Sequence, residues 1–310
     1  MDQRAAVRDR PVSATPATTA ADPRVRSALV FGGSGQIGAP LLQRLRQGGW
    51  RVLAVSRDAQ VDDTCVRWLR GDLSRVERLP VAVDAIFSCG PLDHFARWYA
   101  NSTVTSPRVV AFGSTSLEVK SDSVDPRERS LAARLAEGER VVFAAARRRG
   151  AAATVLRPTL VYGAGRDQTL TRIATFARRW HGFVLPAGAI GLRQPVHVDD
   201  LAAAALQACD VEAAAGHAYD LPGGETIAYR DMVARVLRAL PARPALIEVP
   251  APVFETAVHA ARGIGLARGV GDAVVGRLRE DLVFDPAPAQ RAFGYGPRGF
   301  APTAGMFERG

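Results

Sequence analysis

Residues 28–38 read ALVFGGSGQIG, an apolar run that enters a turn with a glycine at every third position. The run is typical of a β-strand, and residues 40–45, PLLQRL, follow with helical spacing. A strand, a Gly-rich turn and a helix N-terminus form a diphosphate cradle, because backbone N–H groups and the positive helix end face the anion. A flexible loop without a ligand is the alternative. We predict that a dinucleotide contacts Gly32, Gly33, Ser34, Gly35, Gln36, Ile37 and Gly38.

The length and composition allow one large α/β unit, or a nucleotide-binding domain with a smaller appendage. The chain has 310 residues, and 47% of them are hydrophobic, so it can bury a substantial core. The formal net charge is +9, and Lys120 is the only lysine among the basic residues. Such a surplus suits an anionic cofactor or substrate as well as nucleic acid. The arginines are dispersed, and no recognition helix or aromatic platform is evident, so we do not expect nucleic-acid binding.

The three cysteines, at positions 65, 89 and 209, are widely spaced. We expect neither a disulfide framework nor a metal site, which suits a reducing compartment. Residues 1–26 are rich in Ala, Thr, Pro and Arg and lack the apolar core of a secretion signal, so we expect a mobile extension. No uncharged apolar stretch approaches membrane-spanning length. The expectation is a cytoplasmic protein with no membrane partner.

Strand-like and helical segments alternate along the chain. This alternation predicts parallel pairing through right-handed crossovers, and hence a Rossmann-type doubly wound α/β sheet. We expect a dinucleotide-binding core over residues 27–160 and a smaller, mainly substrate-binding C-terminal lobe over 161–310, with segments returning to the core. The predicted strands are 51–55, 66–69, 84–88, 108–112, 153–156 and 195–198, and the predicted helices are 126–149, 169–179, 200–209, 228–240, 252–261 and 270–280.

The end of the second strand bears on the choice of cofactor. An acidic residue there would bond the ribose hydroxyls of NAD, but this chain has Ser56 and Arg57. An arginine can pair with the 2′-phosphate of NADP, which favours NADP over NAD. Asp58 follows one position later and leaves NAD open, and a solvated Arg57 without a ligand is a further alternative.

The ends of the third and fourth strands complete the expected cofactor cleft. Asp72 could bond the adenine amino group while Leu73 packs nearby, or Asp72 could cap the short turn that follows it. Ser88, Cys89 and Gly90 end the fourth strand, where small residues let the backbone approach the ribose. We expect Cys89 to pack rather than react, because no base is its neighbour in the sequence.

Several spaced motifs resemble the short-chain dehydrogenase/reductase superfamily in its extended, NAD-dependent epimerase/dehydratase branch. The glycine turn has the G-x-x-G-x-x-G form, and the similarity extends over about residues 27–303. The other motifs are FGSTS at 112–116, LRPTLVYG at 156–163, RQPVHVDDL at 193–201 and the closing segment 284–295.

The resemblance implies roles for particular residues. Thr115, aided by Ser114, falls where the family places a hydroxyl that bonds the reacting oxygen of the substrate. Pro158 and Thr159 fall where the chain passes the nicotinamide. Arg193 falls where many relatives bind a sugar-nucleotide diphosphate, which suits a forked guanidinium.

Other residues near these motifs have expected roles as well. Arg166, in a Gly/Arg-rich loop, is a second candidate to neutralise an anionic substrate tail. The resemblance implies that His197 is structural, and we expect Asp199 or Asp200 to cap the helix that follows.

The family's hydride chemistry relies on a Tyr-x-x-x-Lys pair, and this chain has none. Ser116 stands four residues before Lys120, the only lysine. Loss of a general acid costs about 10²–10⁴ in rate. Tyr162 could substitute if its ring faces the nicotinamide, or it could simply pack in its loop.

Two functions remain open at this point. One is an NAD(P)-dependent epimerase, dehydratase or reductase acting on a nucleotide-sugar-like or other carbonyl or hydroxyl substrate. The other is a catalytically inactive NAD(P)-binding regulatory or assembly protein. A homodimer could form through the Ala/Leu-rich face around 131–146, although the same face could pack on the sheet.

Overall fold

The strand, turn and helix predicted from residues 28–45 begin a parallel sheet. In the computed structural model, which describes residues 25–263 and 276–308, strand β1 spans Ser27–Phe31 and helix α1 spans Gly38–Gln47. The same half continues with β2 Arg51–Ser56, β3 Val66–Arg70, β4 Ala85–Ser88, α2 Leu92–Asn101, β5 Arg108–Phe112, α3 Ser116–Val119, α4 Pro126–Arg148 and β6 Ala152–Pro158.

The second half alternates short strands with helices. Its elements are β7 Val161–Tyr162, α5 Leu170–Trp180, β8 Gly182–Pro186, β9 Leu192–Arg193, β10 Val196–His197, α6 Val198–Asp210, β11 Ala218–Leu221, β12 Ile227–Ala228, α7 Tyr229–Ala239, β13 Ala245–Val249, α8 Ala251–Gly263 and α9 Ala287–Phe293. The sequence pattern gave no range for several elements, namely β7, β8, β9, β11, β12, β13, α2, α3 and α9. Most of the predicted helix 270–280 lies outside the described residues.

Seven strands form the main sheet in the order β11-β6-β5-β4-β1-β2-β3, and every neighbouring pair is parallel. Strand β1 pairs with β2 on one side and β4 on the other, so the direction of winding reverses at β1. A ligand crevice forms at such a reversal, beyond the carboxyl ends of the strands. The Rossmann-type α/β fold predicted from the sequence is confirmed.

Helices cover both faces of this sheet. Leu29 of β1 belongs to a buried cluster with Leu92 of α2 and Val142 of α4. The next residue, Val30, belongs to a second cluster with residues of α1 and α6. Successive side chains of β1 therefore lie on opposite faces, as a strand buried on both sides requires.

The later half divides between the main sheet and a smaller core. Strand β11 extends the sheet at its edge, and α6 packs on one face. Helices α5 and α7 share a separate cluster with Phe300 and Phe307 near the C-terminus. Strands β8 and β13 form a parallel pair beside that cluster. Within the described residues, no helix is both long and apolar enough to cross a bilayer.

The Ala/Leu-rich face of α4 packs inside the molecule. Ala132, Leu135, Val142 and Ala145 are buried, and the last three of them belong to the same cluster as α2 and the sheet. The buried residues of this face therefore pack on α2 and the sheet, and the homodimer stays a prediction.

His197, and not an aspartate, caps α6. The helix begins at Val198, and His197 Nδ1 accepts a hydrogen bond from the Asp199 backbone N–H at 3.2 Å. Asp200 instead accepts from the Arg298 backbone N–H and from its guanidinium. The expected aspartate cap is wrong because α6 begins at Val198, which places both carboxylates inside its first turn.

We predict that Asp125→Ala lowers the free energy of unfolding by about 1 kcal/mol. Asp125 is the N-cap of α4, and its Oδ1 accepts from the Arg127 backbone N–H at 2.8 Å. Urea denaturation measures the change, and Asp122→Ala, at an exposed position just before the helix, is the control. Equal losses in the two variants contradict the prediction.

Candidate functional site: the glycine turn and the cleft beside it

The glycine turn closes on itself so tightly that side chains are excluded. A Cβ on Gly38 would lie 2.1 Å from the Gly32 carbonyl oxygen, and a Cβ on Gly32 would lie 3.1 Å from the backbone of Cys89. Gly32 also has a φ of +72°, which L-residues rarely adopt. The Gly35 N–H donates to the Gly32 carbonyl at 2.9 Å. The turn thereby sets the start of α1 against the ends of β1 and β4.

The amino end of α1 has the properties of an anion site. Its N-cap residue, Ile37, makes no side-chain capping bond, and the first turn contains no acidic residue. Uncapped amides and the helix dipole both favour a negative group at this position. These residues fit the diphosphate of a nicotinamide dinucleotide.

A cleft of about 350 Å³ adjoins the turn. The structure brings together there most of the residues predicted to hold the cofactor, namely Gly32, Ser34, Gly35, Ser56, Arg57, Asp72, Leu73, Cys89 and Gly90. Phe31, Val55, Gly71, Pro91 and His94 also line it and were not predicted. His94 lies in the first turn of α2, the helix that follows β4. No sequence motif marks a residue at that position as a cofactor contact.

The end of the cleft beside Ser56 and Arg57, where the ribose is expected, contains polar groups suited to either dinucleotide. The Ser34 and Ser56 hydroxyls are 2.9 Å apart and share a hydrogen bond. Arg57 is exposed at the rim. The Asp58 backbone N–H donates to the Ser56 hydroxyl at 3.2 Å.

The Asp72 carboxylate caps the turn that follows it. Its Oδ1 accepts from the Ser74 backbone at 2.8 Å, from the Ser74 hydroxyl and from the Arg75 backbone. These bonds, that of the Ser74 side chain first, lower the pKa of Asp72. The capping alternative is the one observed. Leu73 faces Gly90, where an added Cβ would lie 3.2 Å from it.

The end of β4 is closely packed. The Ser88 hydroxyl is buried and has no hydrogen-bond partner among the described residues. Burial raises the pKa of the Cys89 thiol to about 12. A thiol with so high a pKa is not a nucleophile near neutral pH, which fits the packing role expected for Cys89.

The ends of β5 and β6 bring the predicted catalytic hydroxyls beside the predicted nicotinamide segment. The Thr115 hydroxyl is buried and donates to the Pro158 carbonyl at 3.3 Å. The Ser114 hydroxyl accepts from the Ser116 backbone N–H at 3.1 Å. The Thr159 hydroxyl donates to the Gln194 carbonyl at 2.5 Å. A contact as long as that of Thr115 is weak and can be exchanged for a ligand.

Tyr162 does not reach the cleft. Its side chain is 1% exposed, and its ring packs edge-on against His197 and Phe300 at 5.1 and 5.0 Å. Burial raises the pKa of its phenol further above neutrality. The hypothesis that Tyr162 replaces the family's acid is at odds with this packing, because β7 and β10 hold the ring inside the smaller core.

Arg193 is likewise engaged inside the protein. It is 6% exposed and donates to the backbone carbonyls of Leu192 and Glu280 at 2.7 Å, and to that of Arg277. Its guanidinium lies 5.4 Å from the Tyr229 ring. These contacts hold segment 277–280 against β9, so the expected role in binding a substrate diphosphate is not supported by the geometry.

Helix α4 offers apolar side chains where the family relies on tyrosine and lysine. Leu131 and Leu135 pack with Leu92 and Leu117. Lys120 lies 3.5 Å from Glu128 on the first turn of α4. Glu128 in turn forms a bidentate pair with Arg277, both bonds at 2.6 Å. The single lysine therefore belongs to a charged cluster that joins α4 to the C-terminal segment.

We predict that Gly38→Ala abolishes dinucleotide binding. The added methyl group would collide with the Gly32 carbonyl and displace the start of α1. Fluorescence titration with NADPH measures binding, and circular dichroism monitors folding. Gly305→Ala is the control, because a Cβ there meets nothing within 4 Å. Unchanged affinity in the Gly38 variant would count against the cradle.

The Glu128–Arg277 pair predicts a pH dependence of stability. The Arg277 hydrogen bonds hold the pKa of Glu128 at about 2, below its ordinary value of 4.5. A lowered pKa means that the pair stabilises the fold above pH 4.5 and that this contribution is lost as the pH falls toward 2. The wild type should therefore exceed Glu128→Gln in unfolding free energy at pH 6, with a smaller difference at pH 3. Glu77→Gln, at an exposed position, is the control. A gap between wild type and Glu128→Gln that is independent of pH refutes the assignment.

Known proteins share this fold and part of this sequence. A protein described as uncharacterized, y4nG of Sinorhizobium fredii, is 25% identical, over 88% of this chain and 75% of its own length. The structure of MoeE5 in complex with UDP-glucuronic acid and NAD has a TM-score of 0.66 at 20% identity, covering 88% of this chain and 94% of that one. UDP-glucuronic acid 4-epimerase from Bacillus cereus in complex with NAD has a TM-score of 0.65 at 10% identity, covering 91% and 97%.

The family assignment rests on the sequence of the sheet and the segments that follow it. Residues 28–119 and 98–221 match the NAD dependent epimerase/dehydratase family. The matched region contains the glycine turn, the ends of β4, β5 and β6, and β11 at the sheet edge. The resemblance seen in the motifs is confirmed, and this chain belongs to the NAD dependent epimerase/dehydratase family.

Proposed function

We propose that the protein is a nicotinamide-dinucleotide-dependent oxidoreductase that moves a hydride to or from a hydroxyl or carbonyl substrate. The observation that carries the proposal is the uncapped amino end of α1, which opens on a cleft lined by the predicted cofactor residues. Family membership supports the same cofactor class.

We infer a preference for NADP over NAD. Arg57 is at the rim of the cleft, and no acidic side chain ends β2 to repel a 2′-phosphate. A groove that continues from the same rim is lined by four arginines and two carboxylates, namely Arg57, Arg70, Arg75, Arg78, Asp72 and Glu77, so cations outnumber anions there. Arg70 is paired with Ser56 in the register of β2 and β3, which brings a second cation beside the ribose end. The solved relatives contain NAD, so this preference is particular to the residues of this chain.

Each part of the site has a task in this proposal. When bound, the nicotinamide would accept or donate the hydride. The turn 32–38 would hold the diphosphate, and Pro158 would border the nicotinamide. Thr115, with Ser114 beside it, would donate a hydrogen bond to the reacting oxygen after giving up its long bond to the Pro158 carbonyl. Such a bond lowers the barrier only if it strengthens as charge develops on that oxygen.

We propose a nucleotide-sugar-like compound as the first substrate class to test. One solved relative, MoeE5, holds UDP-glucuronic acid in one structure and UDP-glucose in another, which supports this class. The inward bonds of Arg193 speak against this arginine as the diphosphate ligand. A substrate without a diphosphate therefore belongs in the same panel.

A second candidate is a dinucleotide-binding regulatory or assembly protein without turnover. The packing of Leu131 and Leu135 on α4, with Tyr162 buried elsewhere, favours it. Helix α4 contains no tyrosine, so neither it nor the buried Tyr162 supplies the phenol of the family's pair.

Turnover distinguishes the two candidates. The absorbance of reduced nicotinamide would be followed with UDP-sugars and with simple carbonyl compounds. For an enzyme, we expect Thr115→Ala to lower kcat by about 100-fold while the cofactor Kd stays unchanged. Thr103→Ala, at an exposed position, is the control. Tight NADPH binding without turnover on any substrate would contradict the oxidoreductase and favour the regulator.

A further inference from the structure

A short loop of the later half is anchored beside the glycine turn. This arginine loop, residues 163–168, begins at Gly163, which has a φ of +115° and leaves room for His197: a Cβ there would lie 2.5 Å from the imidazole Nε2. Gly165 has a φ of +62°, and its N–H donates to the Met306 carbonyl at 2.9 Å. The loop is therefore held from two sides before it reaches Arg166.

The far side of the loop is fixed as well. Asp167 is 7% exposed, and its carboxylate accepts from the Thr169 and Thr171 backbone N–H groups at 3.0 Å. It also accepts from the Thr171 hydroxyl. These bonds tie the loop to the first turn of α5. Arg166 is exposed between two buried neighbours, on a backbone that its surroundings define.

The Arg166 side chain reaches back to the glycine turn. Its Nη1 donates to the Ser34 carbonyl at 2.5 Å, across 132 positions of sequence. Among the described residues, the Arg166 guanidinium makes this one polar contact and pairs with no carboxylate. A guanidinium has five N–H donors, so most of them remain for another acceptor.

We propose that Arg166 binds the diphosphate of the dinucleotide and so closes the arginine loop over the glycine turn. The inference rests on the proposed function, because it assumes that a dinucleotide occupies the cleft. A diphosphate against the amides of α1 has oxygens left over, and a forked guanidinium matches them. Arg166 is then a cofactor ligand from the second half of the chain, in place of the substrate-side role expected from its sequence position.

The arrangement couples the two halves of the chain through the cofactor. The uncapped amides of α1 and the arginine loop would both bind one anion, so the loop is best held when the dinucleotide is present. A substrate entering beside Thr115 and Pro158 would then meet a more ordered lobe.

Calorimetric titration with ADP-ribose and with NADPH tests the proposal. ADP-ribose contains the diphosphate but no nicotinamide, so it reports on this contact without chemistry. We expect Arg166→Gln to raise both Kd values roughly 10- to 100-fold, the usual effect of losing a charge-assisted hydrogen bond. Arg166→Lys should recover part of the loss. Arg172→Gln removes the same charge from an exposed position on α5 and should change either Kd less than twofold.

Hydrogen exchange supplies a second readout. ADP-ribose should slow exchange of the amides of the arginine loop in the wild type and not in Arg166→Gln. Equal Kd values for the two glutamine variants overturn the inference, as does an Arg166 variant that loses affinity only for a substrate. If the wild type binds neither ADP-ribose nor NADPH, the proposed function fails as well as the inference about Arg166. If the wild type binds both and the Arg166 variant binds them equally well, only the inference fails.

Discussion

The close approach of Gly38 to the Gly32 carbonyl is the constraint on which the site depends. It fixes where α1 begins, and thereby points uncapped amides at the crevice between β1 and β4. A side chain on Gly38 would meet the Gly32 carbonyl and push the helix away from the strand ends, whereas a side chain on Gly32 would meet the backbone of Cys89 after β4. The small residues that end β4 line the cleft, and the hydroxyls that follow β5 lie beside the end of β6. Because the strands are parallel, all of these ends meet at one edge.

The parts of the structure that could be predicted from the sequence are those that local patterns determine. The glycine spacing, the alternation of strands and helices, and the residues at strand ends all indicated the cleft, and the structure brings most of them together there. Strand β11 was not predicted because it has only four residues, although Gly216 precedes it and Pro222, Gly223 and Gly224 follow it. His94 was not predicted because its place at the cleft depends on the angle at which α2 leaves β4.

The side chains whose neighbours are distant in sequence were the hardest to place. Arg193 and Tyr162 both sit in motifs of the family, yet their partners are segments 277–280 and 300–301, more than 80 residues away. Arg166 makes its contact with Ser34 across 132 positions of sequence. A motif gives the position of such a residue on its element, whereas packing between the two halves of the chain decides which way it faces.

Cofactor binding and proton transfer are separable in this fold. Cofactor binding needs the backbone geometry of the glycine turn, whereas proton transfer in the family relies on a tyrosine of the helix that corresponds to α4. This chain keeps the geometry and has leucines on the helix. Loss of a proton donor lowers a rate without altering the cradle, which is why both an unusual enzyme and a binding protein are compatible with the same cleft.

A crystal structure of the protein grown with NADP tests the central claim most directly. The account predicts that the diphosphate oxygens lie within hydrogen-bond distance of the Gln36 and Ile37 amides, at the start of α1. A dinucleotide bound elsewhere, or a cleft that stays empty at saturating NADP, would contradict it.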